Sequence, residues 1–284
     1  MNLKQIILSS RPISWVNTAY PFFAGYLFAT GGFNWLLVIV TLYFLVPYNL
    51  LMYGLNDIFD YESDIRNPRK GGIEGAILNK KLHKTVFWVA IASNLPFILA
   101  LFFMGDLLSN FTLVVLLFFV IAYSVPGLRF KERPILDSIT SSIHFVGPLV
   151  YAAILVGDFT EFLPFIIAFF LWGVASHAFG AVQDILPDRQ AKIASIATVF
   201  GAKNTVRLVV AFYALAAFLT IIQGGLAIVV GLVSLIYLFN ALPFVNLSDK
   251  SSESANRGWR RFIWLNMLTG AVITVILLYS VSGL

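Results

Sequence analysis

The stretch FNWLLVIVTLYFLVPYNLLMYGL, residues 33–55, runs without a charge into NDIFDYESD, residues 56–64. The first part is long enough to cross a hydrocarbon core, which takes about 20 residues of helix. The second opens the most heavily charged stretch of the chain. If the helical path continues, Asp57, Asp60 and Asp64 stand at i, i+3 and i+7, on one face. Like charges placed so repel by ~3 kcal/mol for a pair about 5–6 Å apart at an effective dielectric near 20. A cation joining them removes that cost. Oxygen ligands with no Cys or His beside them suit Mg²⁺, which keeps waters and shares its coordination sphere with substrate phosphates. The plainer alternative is a solvated helix end, but acids flush against a bilayer are more often functional than acids in a water-soluble loop.

Composition supports the membrane reading. Of 284 residues, 59% are hydrophobic and 12% charged, against about one quarter charged in a soluble domain, and the mean hydropathy is +0.87. The chain reads as an all-α integral membrane protein. The absence of cysteine excludes disulfides, thiolate metal sites and cysteine nucleophiles. A net charge of +5 does not imply a nucleic-acid partner, because that requires a basic face outside the membrane. Lys4 and Arg11 precede the first apolar run, which is long enough to stay as a span rather than be cleaved as a signal.

Nine spans are expected, near residues 14–31, 33–54, 85–104, 109–125, 138–156, 161–181, 204–222, 225–246 and 261–282. All 19 Lys and Arg then fall on one side of the membrane: the N-terminus, the loops after spans 2, 4, 6 and 8, and the start of span 7. The opposite side carries only Asp106, Asp158 and Glu161. The positive-inside rule gives a cytoplasmic N-terminus, an outside C-terminus and a cytoplasmic face for the polar chemistry. Turns such as Thr30-Gly31-Gly32 and Gln223-Gly224-Gly225 close the other side. Residues 1–284 are expected to form one domain in the cell membrane, with no soluble second domain.

A second acidic site closes span 6. Asp184 and Asp188 are four apart in Gln183-Asp184-Ile185-Leu186-Pro187-Asp188-Arg189, one face if helical, although Pro187 is expected to disturb the turn. Both acidic sites lie at the cytoplasmic ends of even-numbered spans, and the simplest geometry sets them face to face across a cavity. The same loops offer Arg66, Arg69, Lys70, Lys131, Arg189 and Lys192 to diphosphate oxygens, though topology alone would also put them there. Lys131 stands out in Tyr123-Ser-Val-Pro-Gly-Leu-Arg-Phe-Lys131, a turn with few other reasons to be cationic. His144 and His177 lie inside spans 5 and 6 with no second His at metal-binding spacing, and read as satisfied polar groups of the bundle.

Asn56-Asp57-x-x-Asp60-x-x-x-Asp64 resembles the first aspartate motif of the UbiA superfamily of intramembrane prenyltransferases, and Asp184-x-x-x-Asp188 its second. The Tyr123–Lys131 segment and Arg11-Pro12-x-Ser14-Trp15-x-Asn17-Thr18 are also similar to family segments. The resemblance implies a nine-helix bundle around a central cavity open to lipid, and Mg²⁺-assisted transfer of a prenyl group from an isoprenyl diphosphate. It implies metal binding by Asn56, Asp57, Asp60, Asp64, Asp184 and Asp188. It further implies diphosphate binding by Arg66, Lys131, Arg189 and Lys192, a catalytic set of Asp57, Asp60, Asp184 and Lys131, and Asn17 and Tyr123 in the substrate cavity.

Within the family, the segments 129–138 and 177–198 look like the lycopene elongase branch of C50 carotenoid synthesis, with dimethylallyl diphosphate as donor and lycopene as acceptor. Arg189 and Gln190 follow Asp188 directly, unlike the fuller acidic motif of quinone-pathway members, which speaks against the alternative of an aromatic-acid acceptor. An ion-coupled transporter is a third reading, but its acids would lie at the bilayer midplane rather than beside basic loops.

Overall fold

A computed structural model of the chain describes residues 3–65, 77–157 and 159–282, without the side chains of Ser63 and Asp64. Among the described residues there are helices and no strand. They divide into two compact units: Met1–Phe130 with Gly147–Asp158, and Lys131–Val146 with Phe159–Leu284.

The first unit begins with a short helix that the sequence reading did not anticipate, α1 (Leu3–Ser9), and a 3₁₀ turn at Pro12–Ser14. There follow α2 (Trp15–Thr30), α3 (Trp35–Leu45), α4 (Pro47–Phe59), α5 (Tyr61–Asp64), α6 (His83–Met104) and α7 (Leu107–Ser124). Asp106 caps α7, accepting the Ser109 hydroxyl at 2.7 Å and the Ser109 N–H at 2.8 Å, and these bonds hold its carboxyl below the usual carboxylate range. The next helix, α8 (Leu136–Val156), gives its first part to the second unit and its last part to the first.

The α3–α4 segment is the expected second span, broken at Val46–Pro47. Pro47 has no N–H to continue the ladder, and Val46 leaves the helical region at φ −116°. A break inside a bilayer needs donors for the freed carbonyls, and three side chains provide them. The Asn49 amide donates to Phe44 O at 2.8 Å and Leu45 O at 3.0 Å. The Thr18 hydroxyl of α2 donates to Phe44 O at 2.7 Å and accepts from Asn49. The Asn94 amide of α6 donates to Pro47 O at 2.7 Å. Around this clip packs a fully buried aromatic core of Phe22, Tyr43, Phe44, Tyr48 and Tyr151. The break and its clip thereby set the direction in which α4 delivers Asn56, Asp57 and Asp60.

The second unit contains α9 (Phe159–Val182), α10 (Ile185–Gln190), α11 (Ile196–Ile221), α12 (Ala227–Ala241) and α13 (Asn256–Ser282). Here α9 and α12 both pack against α11, and α13 packs on α12 and α9. Helix α11 is broken at Gly201, whose φ is +74°. Glycine is required there twice over, since a Cβ would also stand 3.0 Å from Asp249 Oδ1. That oxygen accepts the Ala202 N–H at 2.7 Å and so caps the helix after the break.

Eight helical stretches are long and apolar enough to cross a membrane: Trp35–Phe59, Lys80–Met104, Leu107–Ser124, Leu136–Val156, Phe159–Val182, Ile196–Ile221, Ala227–Phe244 and Asp249–Ser282. The ninth expected span corresponds to α2, which falls short of that length. Its 16 residues reach ~24 Å against a hydrocarbon core of about 30 Å. Large apolar side chains stand on the surface, Phe103 and Leu107 each 88% exposed, as suits a face covered by lipid rather than water. The protein is a multi-pass membrane protein.

Replacing Asn49 by Leu removes the clip's central donor and leaves buried carbonyls unpaired, at a cost of about 1–3 kcal/mol. We expect a lower Tm for Asn49→Leu in detergent, measured by thermal unfolding. An unchanged Tm would mean that the clip does not hold the break.

Candidate active site

The polar end of α4 carries the first motif. The helical path nearly continues through it, with the Asp60 N–H donating to Asn56 O at 2.9 Å before α5 restarts at Tyr61. Asp57 and Asp60 are buried, at 1% and 7% exposure. Each meets an arginine that the sequence reading had not matched to it. Arg11 Nη2 lies 3.2 Å from Asp57 Oδ1, with its guanidinium 4.4 Å above the Tyr53 ring one turn back on α4. Arg129 Nη2 lies 3.5 Å from Asp60 Oδ1, and its Nη1 donates to Phe59 O at 3.5 Å. Both arginines hold left-handed backbone angles, φ 48° and 39°, which cost a non-glycine residue free energy and gather at functional sites. Asn56 Oδ1 accepts the Ser124 hydroxyl at 3.3 Å.

This donor set contains only oxygen, and two of its members are carboxylates withdrawn from water. It fits a hard divalent cation. Among the described residues, no three His, Asp or Glu side chains converge on one point. The Asp64 side chain, expected as the third carboxylate, lies outside the described set, as do Arg66, Arg69 and Lys70. Asn17 on α2 and Tyr123 near the end of α7 are both half-buried.

The second motif lies in the other unit. Helix α9 ends at Val182, and the Asp184 N–H donates to Ala181 O at 3.1 Å. The Asp188 N–H donates to Asp184 O at 2.9 Å, so the two acids stand one helical turn apart as expected. Pro187 does not disturb that turn. It sits in the first turn of α10, where a backbone N–H has no intrahelical partner to lose. Both acids are half-buried. Gln183 beside them is buried and accepts from the Asn256 amide of α13.

Arg189 is engaged structurally. Its Nη1 pairs with Asp249 Oδ2 at 2.8 Å, and its Nη2 and Nε donate to Thr198 O at 2.8 and 3.3 Å. It ties α10 to the start of α11 and to the segment ahead of α13. Lys192 is exposed, at φ 58°, just past α10. Lys131 is half-buried in the 3₁₀ turn Phe130–Glu132.

Two further residues escaped the sequence reading. Asp137, fully buried, accepts the Ser138 N–H and the Ile196 N–H, both at 2.8 Å, and so holds the first turn of α11. Asp249 has the capping and ion-pairing roles described above. Short acidic side chains far apart in sequence give no periodic signal, so only the fold brings them to their helix ends.

Comparison with known proteins agrees with this architecture. Residues 18–268 match the UbiA prenyltransferase family. The chain is 50% identical over 278 residues to a lycopene elongase/hydratase of Corynebacterium glutamicum, covering 97% of each. It is 46% identical to the C(50) beta-cyclic carotenoids biosynthesis protein LbtBC of Dietzia sp., covering 98% of this chain and 65% of that protein. In fold it is similar to the structure of a UbiA homolog from Archaeoglobus fulgidus bound to DMAPP and Mg²⁺. The TM-score is 0.69 at 18% identity, over 95% of this chain and 99% of that one. With its oxygen-lined helix end, its all-helical membrane fold and a match spanning most of its length, the chain belongs to the UbiA prenyltransferase family and is a prenyltransferase.

Proposed function

We propose that this prenyltransferase joins a five-carbon unit from dimethylallyl diphosphate to lycopene, at each end in turn, as a step of C50 carotenoid synthesis. The observation that carries this reading is the similarity to lycopene elongase/hydratase, 50% over 97% of both chains. The chemistry of the acceptor agrees with it. Lycopene is wholly apolar and needs no charged anchor, whereas an aromatic acid would call for a cation to meet its carboxylate.

In this proposal the whole of 1–284 acts as one catalytic domain, and both acidic motifs serve one diphosphate. Asn56, Asp57, Asp60, Asp64, Asp184 and Asp188 would hold Mg²⁺, and Arg66, Lys131, Arg189 and Lys192 would bind diphosphate oxygens. Mg²⁺, when bound, supplies positive charge that stabilises the departing diphosphate. The basic side chains add hydrogen bonds to the same oxygens as the allylic C–O bond breaks. Asp57, Asp60, Asp184 and Lys131 are the catalytic set. Asn17 and Tyr123 line the cavity in which the allylic cation is kept from water until the acceptor's π-electrons attack.

Two roles need the described contacts to rearrange. Arg189 reaches a diphosphate only by leaving Thr198 or Asp249, both at exposed and readily exchanged contacts. Arg11 and Arg129 keep Asp57 and Asp60 neutralised and yield them when the cation arrives.

Asp57→Ala, Asp60→Ala and Asp184→Ala should each reduce transfer by about a hundredfold or more, ~3 kcal/mol in the barrier, while the protein still accumulates in membranes. Chelation by EDTA should stop the reaction and added Mg²⁺ restore it. Full activity in EDTA would remove the metal assignment.

We also propose that α2 spans as the ninth helix, in the cell membrane, with the N-terminus and the active site cytoplasmic. All the basic residues then face the cytoplasm. A reporter fused after Leu284 should report outside, and reporters near Lys131, Lys192 and Lys250 inside. Eight spans would return the C-terminus to the cytoplasm.

In a lycopene-producing host, expression should raise the pigment mass by one and then two five-carbon units. Unchanged lycopene together with a prenylated aromatic acid would transfer the enzyme to the quinone branch.

A further inference from the structure

Within the second unit, the first half of α8 runs against α9 through small residues. A Cβ on Gly173 would collide with Ser142, and the Ser142 hydroxyl donates to Phe170 O at 2.7 Å. One turn earlier on α8 and one turn later on α9, this close approach sets Ser138 Oγ 3.0 Å from His177 Nδ1. Ser138 is fully buried, and so are residues 173–176 and 178–180, whereas His177 among them is half-exposed. An imidazole edge is thus presented on an otherwise closed helix. His177 lies seven residues before Asp184, two helical turns and about 10 Å along the axis, on the same face. Next to Ser138, the buried Asp137 carboxylate is fixed by two backbone N–H groups, and its charge acts on His177.

We infer that Ser138 and His177 hold a water molecule and direct it onto the carbocation left after prenyl transfer, with His177 taking the proton that this water gives up. The inference rests on the prenyl-transfer reading above. As the allylic C–O bond breaks, its electron pair leaves on the diphosphate. The acceptor's π pair forms the new C–C bond and leaves a tertiary cation on the acceptor. A lone pair of the held water forms a C–O bond to that carbon, and one water proton passes to His177 Nε2. The products are a tertiary alcohol, diphosphate and a proton. Ser138 accepts from Nδ1–H, which leaves Nε2 as the basic nitrogen facing the water, and the Asp137 charge offsets the imidazolium that forms. A polar pair is otherwise costly in a membrane helix, and a site for one oriented water explains why it is there. Proton loss from a neighbouring carbon is the competing fate of the cation, and it gives an alkene without added water.

The test is product analysis by mass spectrometry in membranes supplied with dimethylallyl diphosphate, lycopene and Mg²⁺. The wild-type product should carry the five-carbon unit plus water. His177→Gln should still add the five-carbon unit, with the ratio of hydrated to alkene product lowered by about a hundredfold. Ser138→Ala should shift it in the same direction. Adding imidazole to His177→Ala should restore the hydrated product, which a purely structural histidine would not allow. Should His177→Gln fail to accumulate in membranes, Ser138→Ala, which removes a single oxygen, decides the matter. Wild-type product without water, or variants with an unchanged ratio, would overturn the inference alone. A wild type that adds no five-carbon unit to lycopene would overturn the reading on which it rests.

Discussion

A carboxylate at the end of a membrane helix needs a counter-charge, and in the first unit two arginines supply it. Desolvating an unpaired ion costs several kcal/mol, so the burial of Asp57 and Asp60 depends on Arg11 and Arg129. Much of the surrounding structure serves these two pairs. The short helix α1 and the turn after it bring Arg11 to Asp57. The turn that follows α7 brings Arg129 to Asp60. Each arginine adopts a backbone angle that its own type disfavours. The clip of Thr18, Asn49 and Asn94 fixes the break that aims α4 at them.

The second motif is built differently. Asp184 and Asp188 are half-buried, on a short helix moored by Arg189 to Thr198 and Asp249. Their immediate support is a hydrogen-bonded surround: Gln183 held by Asn256, and Asp137 and Asp249 on the N–H groups of α11. The first motif is guarded by direct ion pairs, and the second is steadied by its neighbours. Both arrangements keep acids at helix ends without the three-carboxylate cluster that the spacing alone suggested.

Much of this was legible in the sequence because hydrophobicity and helical period are local. The apolar runs located the long helices to within a few residues, and the i, i+4 spacing of Asp184 and Asp188 survived a proline that sits where helices tolerate one. The first span was over-read: residues 14–31 are apolar enough, but Pro12 and the turn after it delay the helix to Trp15, leaving 16 residues. The arginine partners were hidden for another reason. Arg11 looked like part of a basic N-terminus and Arg129 like one of several loop cations, because pairing across the fold leaves no mark on spacing. Arg189 shows the converse, a loop cation whose donors the fold already employs.

The positions of the two arginines also order events as the chain is made. Synthesis runs from the N-terminus, so Arg11 has emerged 46 residues before Asp57 and can meet it as soon as α4 forms. Arg129 emerges only after α6 and α7 are complete. Through that interval Asp60 has no arginine of its own and must stay in contact with water at the membrane boundary. The nascent helix α4 therefore rests with its acidic end at the surface and settles to its final depth only when the turn after α7 arrives. Maturation of the first motif is in this way timed by the fourth expected span rather than by the helix that bears it.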